Sequence, residues 1–427
     1  MKSLLNKAQQ QASKEITKRL QQYGIACLWG EARAGKSRAF LNATKGYRTL
    51  VITEKSAISG VLSEAKEIGV EVDCINYQSV HKMNPDDYQL IVCDEAHRFI
   101  AKPTPKPSVT WKEVVKFTKG KFLMLASATP TAEGYGGMYY QLGLSSWSPF
   151  KFPRFTKFFE EYGIPSKIYT GTREVPSYKK TKVDKIKRDM QHLVVTLTRK
   201  AAGHKHESKD VLHHVGMKKW QKKIEKRLKK TLLYVKDDYV ILANTPVKLL
   251  GKLHQLAGGI GIKAEPESKP NPNFIKLKKK IVKKMSEKER DEYEESKYIF
   301  TPKTLMFEKT PPKVSYIHEN FDIENTIILS YYKHEQEYLS KIFSHTGSVT
   351  KLSTGVDLSH YKTMIIYSMG FSSANYFQVK ARLMNVKRKT KMSVHYLLSG
   401  IDEYVLEAVK AKENFTSSWF KKNVNKK

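Results

Sequence analysis

Cysteine is scarce in this chain of 427 residues. The three cysteines, Cys27, Cys74 and Cys93, each lie in or beside an apolar, strand-like run, and no pair has the spacing of zinc ligands. This scarcity argues against a disulfide framework and against a structural zinc site. We therefore expect buried thiols in a reducing compartment and no structural metal.

Long apolar runs are also missing. No run approaches the length of about 20 residues that a membrane-spanning helix needs. The amino terminus is polar and rich in glutamine, without the apolar segment of a signal peptide. We therefore expect a cytoplasmic protein that has no membrane partner.

Acidic residues are few relative to basic ones. Lys and Arg total 76 against 42 Asp and Glu, which gives a formal net charge of +34. An excess of this size favours a polyanionic partner, and 23 Tyr and 18 Phe supply rings that can stack on bases. Nucleic acid is therefore the expected partner, and the length allows two or three domains.

The pattern G-x-x-x-x-G-K-S runs from Gly30 to Ser37, between an apolar run at 25–29 and a helical stretch. Its glycines let several backbone N–H groups point at one anion, and the helix start adds a positive dipole end. The pattern predicts a loop that binds ATP, in which Lys36 reaches the outer phosphates and Ser37 holds Mg²⁺. The alternative is a glycine-rich turn beside a surface lysine. The residues expected to surround the phosphates are Gly30, Ala32, Arg33, Ala34 and Gly35.

Apolar runs alternate with helical stretches along the first third of the chain. After a helix at 8–23, the runs predict strands at 25–29, 48–53, 70–76, 88–94 and 121–127. This alternation is typical of a doubly wound parallel sheet, whose ligands bind at the carboxyl ends of the strands. Each candidate motif follows such a strand.

A second αβ pattern begins after Pro311 and Pro312. It predicts a helix at 375–384 and strands at 326–330, 349–352, 362–368 and 393–398. We predict an α/β fold with parallel-sheet domains at 1–148 and 311–427, joined by a basic linker and largely helical accessory region at 149–310. Within that region, 191–199 is strand-like, 217–234 and 249–256 are helical, and 276–297 is dense in charge.

Two carboxylates end the fourth predicted strand, in the sequence D-E-A-H at 94–97. Asp94 is suited to hold Mg²⁺, and Glu95 to orient the attacking water or accept its proton. His97 is placed to couple this site to the neighbouring domain. An acidic strand end beside a hydrogen-bonded histidine is the alternative, which the preceding phosphate loop disfavours.

The tripeptide S-A-T ends the fifth predicted strand. We expect the hydroxyls of Ser127 and Thr129 to bond Asp94 and His97 and so to report the loss of a phosphate. Alone, the tripeptide is equally typical of a Ser/Thr turn before proline.

The order of these three motifs resembles that of superfamily 2 helicases and translocases of the DEAH-box type. The resemblance implies two RecA-like domains, hydrolysis of ATP with Mg²⁺, and DNA as the partner. In the second domain, 352–358 resembles the fifth motif of that family, and 378–382 resembles the sixth. The roles implied are DNA contact for Thr354 and Gly355, nucleotide contact for Asp357, contact with the γ-phosphate for Gln378, and a positive charge lent to the transition state by Arg382.

The sixth motif departs from the family pattern at two positions. Ala381 replaces a glycine, and Asn385 stands where the family has a second arginine. Either Arg382 acts alone, or Lys387 or Arg388 reaches the site.

Other resemblances involve single residues. Gln9 occupies the place of a glutamine that reads adenine, although Gln10 and Gln11 leave the register open. The positions that match DNA-contacting motifs are Thr53, Lys55, Asn76, Tyr77 and Tyr331. Each of these positions is equally typical of a polar residue at a strand end.

Three segments, at 29–37, 155–163 and 381–390, resemble small phage-encoded helicases related to Swi/Snf-type translocases and branch-migration helicases. This implies movement on branched DNA in the host cytoplasm, with replication or recombination proteins as further partners. The alternatives are a duplex translocase that does not separate strands and a nucleic-acid binding protein with a weak ATPase site. Residue types alone do not distinguish DNA from RNA. A strand-separating hairpin has two candidate positions, 134–137 and 167–178.

Overall fold

The computed structural model describes residues 4–131, 134–169, 174–178, 180–204, 208–236, 239–270, 298–306, 310–352, 357–384 and 390–411. These residues form two lobes, each built on a parallel sheet, with a small antiparallel sheet between them in the sequence.

The first lobe contains a six-stranded sheet in which all neighbouring strands are parallel. Its central strands are almost fully buried, because helices cover both faces. The strands are β1 (Ile25–Gly30), β2 (Thr49–Thr53), β3 (Asp73–Asn76), β4 (Leu90–Asp94), β5 (Phe122–Ser127) and β8 (Val194–Leu197). Their order is β3-β2-β4-β5-β1-β8, so the five strands predicted for this lobe are confirmed and a sixth joins them.

Helices of the first lobe form two layers. One layer holds α1 (Lys7–Tyr23), α2 (Lys36–Ala43) and α3 (Ile58–Ile68), and it buries Ile16 and Leu20 of the predicted amphipathic helix. The other layer is richer in aromatic side chains. Its helices are α4 (His97–Ile100), α5 (Val109–Thr118), α6 (Met138–Leu142), α7 (Phe155–Tyr162) and α8 (Val183–Met190).

The middle of the chain contains the predicted helices, as α9 (Lys219–Thr231) and α10 (Pro246–Gly258), and also strands. An antiparallel hairpin is formed by β6 (Ser166–Tyr169) and β7 (Glu174–Ser177). The antiparallel sheet has four strands, β10 (Leu233–Lys236), β11 (Tyr239–Leu242), β12 (Ile260–Pro270) and β13 (Tyr298–Met306). The predicted charge-dense segment lies outside the described residues.

The second lobe contains a five-stranded parallel sheet in the order β15-β14-β16-β17-β9. Its strands are β9 (Ser208–His214), β14 (Thr326–Ser330), β15 (Thr346–Ser348), β16 (Thr363–Ile366) and β17 (Met392–Leu398). Its helices are α11 (Pro312–Asn320), α12 (Lys333–Leu339), α13 (Val349–Leu352), α14 (Ser373–Ala381) and α15 (Asp402–Lys410). Two parallel-sheet lobes confirm the predicted fold class, and β8 and β9, both from the middle region, extend the two sheets.

The strand predicted at 349–352 is wrong, since these residues form a helical turn and the strand lies just before them. Val349 and Leu352 both contact the core of the second lobe. Residues three apart share a face of a helix but point to opposite faces of a strand. The helical turn therefore lets both side chains reach the same core.

All three cysteines are free thiols, and burial raises the pKa of each to about 12. Within the described ranges, no helix combines the length and the apolar character needed to cross a bilayer.

Candidate active site

A cavity of about 400 Å³ lies between the two lobes, above the carboxyl ends of β2 and β4. The first lobe lines it with the phosphate loop, including Lys36 and Ser37, and with Asp94 and Glu95. The second lobe lines it with Gln378 and Arg382. The structure therefore brings together the predicted residues of three motifs that lie far apart in the sequence.

The phosphate loop has a backbone that requires its two glycines. Gly35 has φ of +84°, and a Cβ added there would lie 2.1 Å from Gln9 Nε2. A Cβ added at Gly30 would lie 2.3 Å from Lys36 Cγ. Gly35 is also the amino-terminal cap of α2, so the loop places the positive end of a helix at the cavity. This cradle fits a phosphate group.

Gln9 is the glutamine that reaches the phosphate loop. Its side chain is 7% exposed and its Nε2 donates a hydrogen bond to the carbonyl of Ala34, at 3.2 Å. Gln10 instead donates to the carbonyl of Leu5, and Gln11 to its helical neighbour Glu15. Among the three glutamines, Gln9 is therefore the one whose side chain contacts the phosphate loop.

Asp94 and Glu95 diverge at the end of β4 toward different neighbouring strands. Thr53, on β2, donates a hydrogen bond to Asp94 Oδ2 at 2.9 Å. Glu95 has φ of +49°, and Ser127, on β5, donates to its Oε2 at 2.7 Å. Lys36 Nζ lies 3.6 Å from Glu95 Oε1. The two carboxylates thus have separate partners, which allows them separate roles.

The pKa values of the two carboxyl groups move in opposite directions. Burial and the charge of Glu95 raise the pKa of Asp94 to about 7. Burial also acts to raise the pKa of Glu95, but Lys36, His97 and Ser127 outweigh it and lower that pKa below its ordinary value. A buried carboxylate such as Asp94 is a ligand suited to Mg²⁺, together with the hydroxyl of Ser37 on the same cavity wall. Glu95 is ionised at neutral pH.

His97 connects the acidic motif to the S-A-T tripeptide. The imidazole is 2% exposed, with Nδ1 2.9 Å from Ser127 Oγ and Nε2 3.1 Å from Thr129 Oγ1. Burial lowers its pKa, and Arg98 and Lys36 add to this effect. The expected bond of the tripeptide to Asp94 is not observed, because Asp94 faces β2 whereas Glu95 faces β5 and receives the Ser127 hydroxyl.

Two of the residues expected to contact DNA are buried inside the first lobe. Thr53 is fully buried, and its hydroxyl is bonded to Asp94. Tyr77 is 1% exposed, stacks on Phe99 and donates to the backbone carbonyl of Asp94 at 2.8 Å. This placement corrects the sequence expectation, since neither side chain is accessible to a DNA phosphate. Both instead hold the end of β4 in position.

The remaining expected DNA contacts stand at or near the surface. Lys55 is exposed in a short 3₁₀ turn after β2. Asn76 caps the 3₁₀ turn that follows β3, where its side chain accepts a hydrogen bond from Ser79 N at 3.0 Å. Tyr331 is partly buried beside Phe371. Predicted or candidate residues that lie outside the described ranges are Thr354, Gly355, Asn385, Lys387 and Arg388.

Arg382 follows the last residue of α14 and lines the cavity that holds Lys36. Burial and the nearby Arg33 lower the pKa of Arg382 to about 10, while Glu95, Glu54 and Asp357 oppose the shift. The guanidinium therefore lies in the field of the first-lobe carboxylates and remains charged at neutral pH. Asp357 lies across the cleft, with Oδ1 2.9 Å from Arg33 Nη2 of the phosphate loop.

Glu54 is a third acidic residue of the cavity that the motifs did not indicate. It lines the cavity, is 12% exposed, and forms an ion pair with Arg98. Burial and Glu95 raise its pKa, and Arg98 and Arg382 act in the opposite direction. The one sequence signal was its position between Thr53 and Lys55, which does not tell which way the side chain points.

In the described part of the chain, no group of three or more His, Cys, Asp and Glu residues could hold a metal ion.

Comparison with known proteins finds a family match within the first lobe. Residues 40–132 match the family described as "Type III restriction enzyme, res subunit". The matched segment contains the strand-end residues Asp94, Glu95, His97, Ser127 and Thr129, and it begins just after the phosphate loop. No curated protein matches the chain. The matched family is a superfamily 2 helicase-like domain, which implies a helicase-type hydrolase that uses ATP and acts on nucleic acid.

Proposed function

We propose that this protein is an ATP-dependent DNA helicase or translocase that acts on branched DNA in replication or recombination. The observation that carries the proposal is the cavity in which Lys36, Asp94 and Glu95 of one lobe face Gln378 and Arg382 of the other. A site divided between two lobes is completed only when the lobes approach each other. Hydrolysis in such a site is therefore tied to lobe movement.

The roles of the residues follow from their positions. The phosphate loop and Lys36 would hold the phosphates of ATP, and Ser37 and Asp94 would hold Mg²⁺. When bound, Mg²⁺ neutralises charge on the phosphate oxygens. Glu95 is ionised and is placed to orient a water molecule and accept its proton. Arg382 brings a positive charge to the phosphates from the second lobe, as an arginine finger does.

Loss of a phosphate would be sensed through the bonds of Ser127 and His97. Ser127 bonds both Glu95 and His97, and Thr129 contacts the far side of the imidazole. A shift of Glu95 would therefore move the S-A-T tripeptide. This chain of contacts supports a role of His97, Ser127 and Thr129 in coupling hydrolysis to lobe movement.

DNA binding is supported by charge more than by any single contact. The net charge of +34 favours contacts with phosphates, which give little sequence preference and weaken steeply with salt. Lys55, Asn76 and Tyr331 are accessible candidates on the two lobes. Replication or recombination proteins would be the further partners.

The hairpin of β6 and β7 favours strand separation over movement on intact duplex. It lies at one of the two positions where the sequence allowed such a hairpin, and Lys167 pairs with Glu174 across its strands at 3.2 Å. Tyr178, at its base, packs against Phe155 and Phe159 of α7. These ring contacts anchor the base of the hairpin to α7, as a strand-separating element would require.

The test compares DNA-stimulated phosphate release by the wild type and the Lys36→Ala variant. We expect single-stranded or branched DNA to stimulate the wild type and the variant to lose this activity. Release that is unaffected by the substitution would contradict the proposal. Parallel strand-displacement and triplex-displacement assays distinguish a helicase from a duplex translocase, and an RNA ligand at matched salt tests the choice of DNA.

A further inference from the structure

We propose that a second cavity between the lobes binds one unstacked nucleobase of the DNA strand. This inference rests on the proposed function and specifies its substrate contact. The cavity has a volume of about 480 Å³ and lies on the S-A-T side of the nucleotide cavity. The two cavities share Ala128, Gln378 and Ala381 as lining residues.

The walls of this cavity suit a flat aromatic ligand. Trp29 and Tyr135 line it from the first lobe, and Phe377 and Met384 line it from the second. The three rings are each partly exposed, although each also packs against the core of its lobe, and Lys187 Nζ lies 5.5 Å from the centre of the Tyr135 ring. Stacking on aromatic side chains is how single-stranded nucleic acids bind without sequence preference. The volume lies within the range of about 300–1,000 Å³ that is usual for small-molecule sites.

Polar and charged groups at the same cavity suit a base that carries a phosphate. Thr129 and Thr131 supply hydroxyls for the edge of a base. Lys380 and Arg199 supply positive charge from opposite lobes. Both cations have acidic neighbours, since Lys380 Nζ lies 2.8 Å from Asp210 and Arg199 Nη2 lies 3.9 Å from Glu31. Each is still more than one-fifth exposed, at 22% and 21%.

A base in this cavity would be linked to the catalytic carboxylate. Thr129 lines the cavity and lies 3.1 Å from His97, which in turn lies 2.9 Å from Ser127, the donor to Glu95. The walls also come from both lobes, so occupancy favours one lobe arrangement over others. Base binding and ATP binding are therefore expected to influence each other reciprocally.

The adenine of ATP has the same chemistry as a base of the strand, and the structure favours the strand. Gln9, the candidate reader of adenine, contacts Ala34 and packs against Gly35. Neither of these residues lines the second cavity. The adenine would accordingly lie on the other side of the phosphate loop.

The experiment measures how the full-length protein binds two oligonucleotides of equal length and charge, one of thymidine nucleotides and one abasic. We expect the wild type to bind the first about fivefold or more tightly, since stacking contributes about 1–3 kcal/mol per base. The Phe377→Ala variant should lose most of this preference while it binds the abasic strand normally. An equal loss of affinity for both strands, or an unchanged preference, would overturn the inference.

Fluorescence of Trp29 separates the two sources of the base. The oligonucleotide should quench wild-type emission in a way that the Trp29→Phe variant lacks, and adenosine alone should not. If adenosine quenches Trp29 and the oligonucleotide does not, the cavity belongs to ATP and the inference is wrong. DNA-stimulated ATP hydrolysis is measured in parallel. Stimulation without a base preference overturns the inference alone, whereas a lack of stimulation overturns the proposed function.

Discussion

Arg33 and Asp357 form an ion pair across the cleft, with Arg33 Nη2 2.9 Å from Asp357 Oδ1, although 324 residues separate them in the chain. Arg33 has φ of +69° in the phosphate loop, and Asp357 stands in the second lobe. The pair therefore joins the nucleotide-binding loop directly to the lobe that carries Arg382. It is one direct contact between the two sides of the cleft.

Breaking this pair should loosen the contact between the lobes. The Asp357→Asn variant is expected to widen the distribution of distances between fluorophores placed on the two lobes, and Arg33→Gln should do the same. The effect is modest, about 1 kcal/mol or less, because both side chains are partly exposed. The double variant should resemble the single ones. Additive effects would show that the two residues act separately.

Substitutions at Thr53 and Lys55 should affect ATP hydrolysis and DNA binding, respectively, although the sequence predicts a DNA contact for both residues. We expect Thr53→Val to lower the rate of ATP hydrolysis roughly tenfold, since a hydrogen bond to a charged group contributes about 1.5–3 kcal/mol. DNA affinity should stay unchanged in that variant, because Thr53 is buried against Asp94. Lys55→Ala should instead weaken DNA binding and reduce its salt slope by about 1. Measured DNA affinity and hydrolysis rate for both variants decide between the two positions.

The Glu54–Arg98 pair gives a prediction about stability. Arg98→Gln removes the ion-pair partner of the Glu54 carboxylate, which is 12% exposed. We expect this variant to lose about 1–3 kcal/mol of unfolding free energy. The Glu54→Gln and Arg98→Gln double variant should recover part of the loss. As a matched control, the exposed pair of Glu113 and Lys116 should change stability by less than about 1 kcal/mol when it is neutralised.

Failure of the double variant to recover stability would mean that the Arg98 side chain stabilises the lobe through packing and not through the carboxylate. Thermal unfolding monitored by circular dichroism is sufficient for this comparison.

Glu335 should make the stability of the second lobe depend on pH. Burial raises the pKa of this fully buried carboxyl to about 7, although Ser368, His254 and Lys313 oppose the shift. A folded-state pKa above the unfolded value means that the stabilisation is complete below about pH 4.5 and is lost as the pH rises toward 7. The Glu335→Gln variant should flatten this dependence by up to about 3 kcal/mol over that range. Denaturant unfolding at several pH values tests the slope, and equal slopes for variant and wild type would contradict it.

Sequence patterns were sufficient to predict those parts of the site that are built from residues adjacent in the chain. The strand, loop and helix around Gly35 and the carboxylates after β4 form continuous segments, so their positions at the sheet edge could be predicted. The direction of a side chain at a strand end could not. Thr53 and Tyr77 point inward to hold β4, a result of packing between strands that are distant in the sequence.

The approach of Arg382 to the cavity was predictable only through resemblance, and the pairing of Arg33 with Asp357 was not predicted. Both depend on how two separate sheets meet. The helical turn at Val349–Leu352 was missed because a run of four residues does not distinguish a strand from a turn. Contact of both Val349 and Leu352 with the same core favours the helical turn.

The most direct test of the account measures ATP binding and DNA-stimulated hydrolysis by an Arg382→Ala variant beside the wild type. We expect hydrolysis at saturating ATP to fall by about a thousandfold or more, as for loss of an arginine finger. ATP affinity should change only a few-fold, because Lys36 and the phosphate loop remain intact. Hydrolysis that persists at the wild-type rate would show that the second lobe does not complete the site, and the central claim would be wrong.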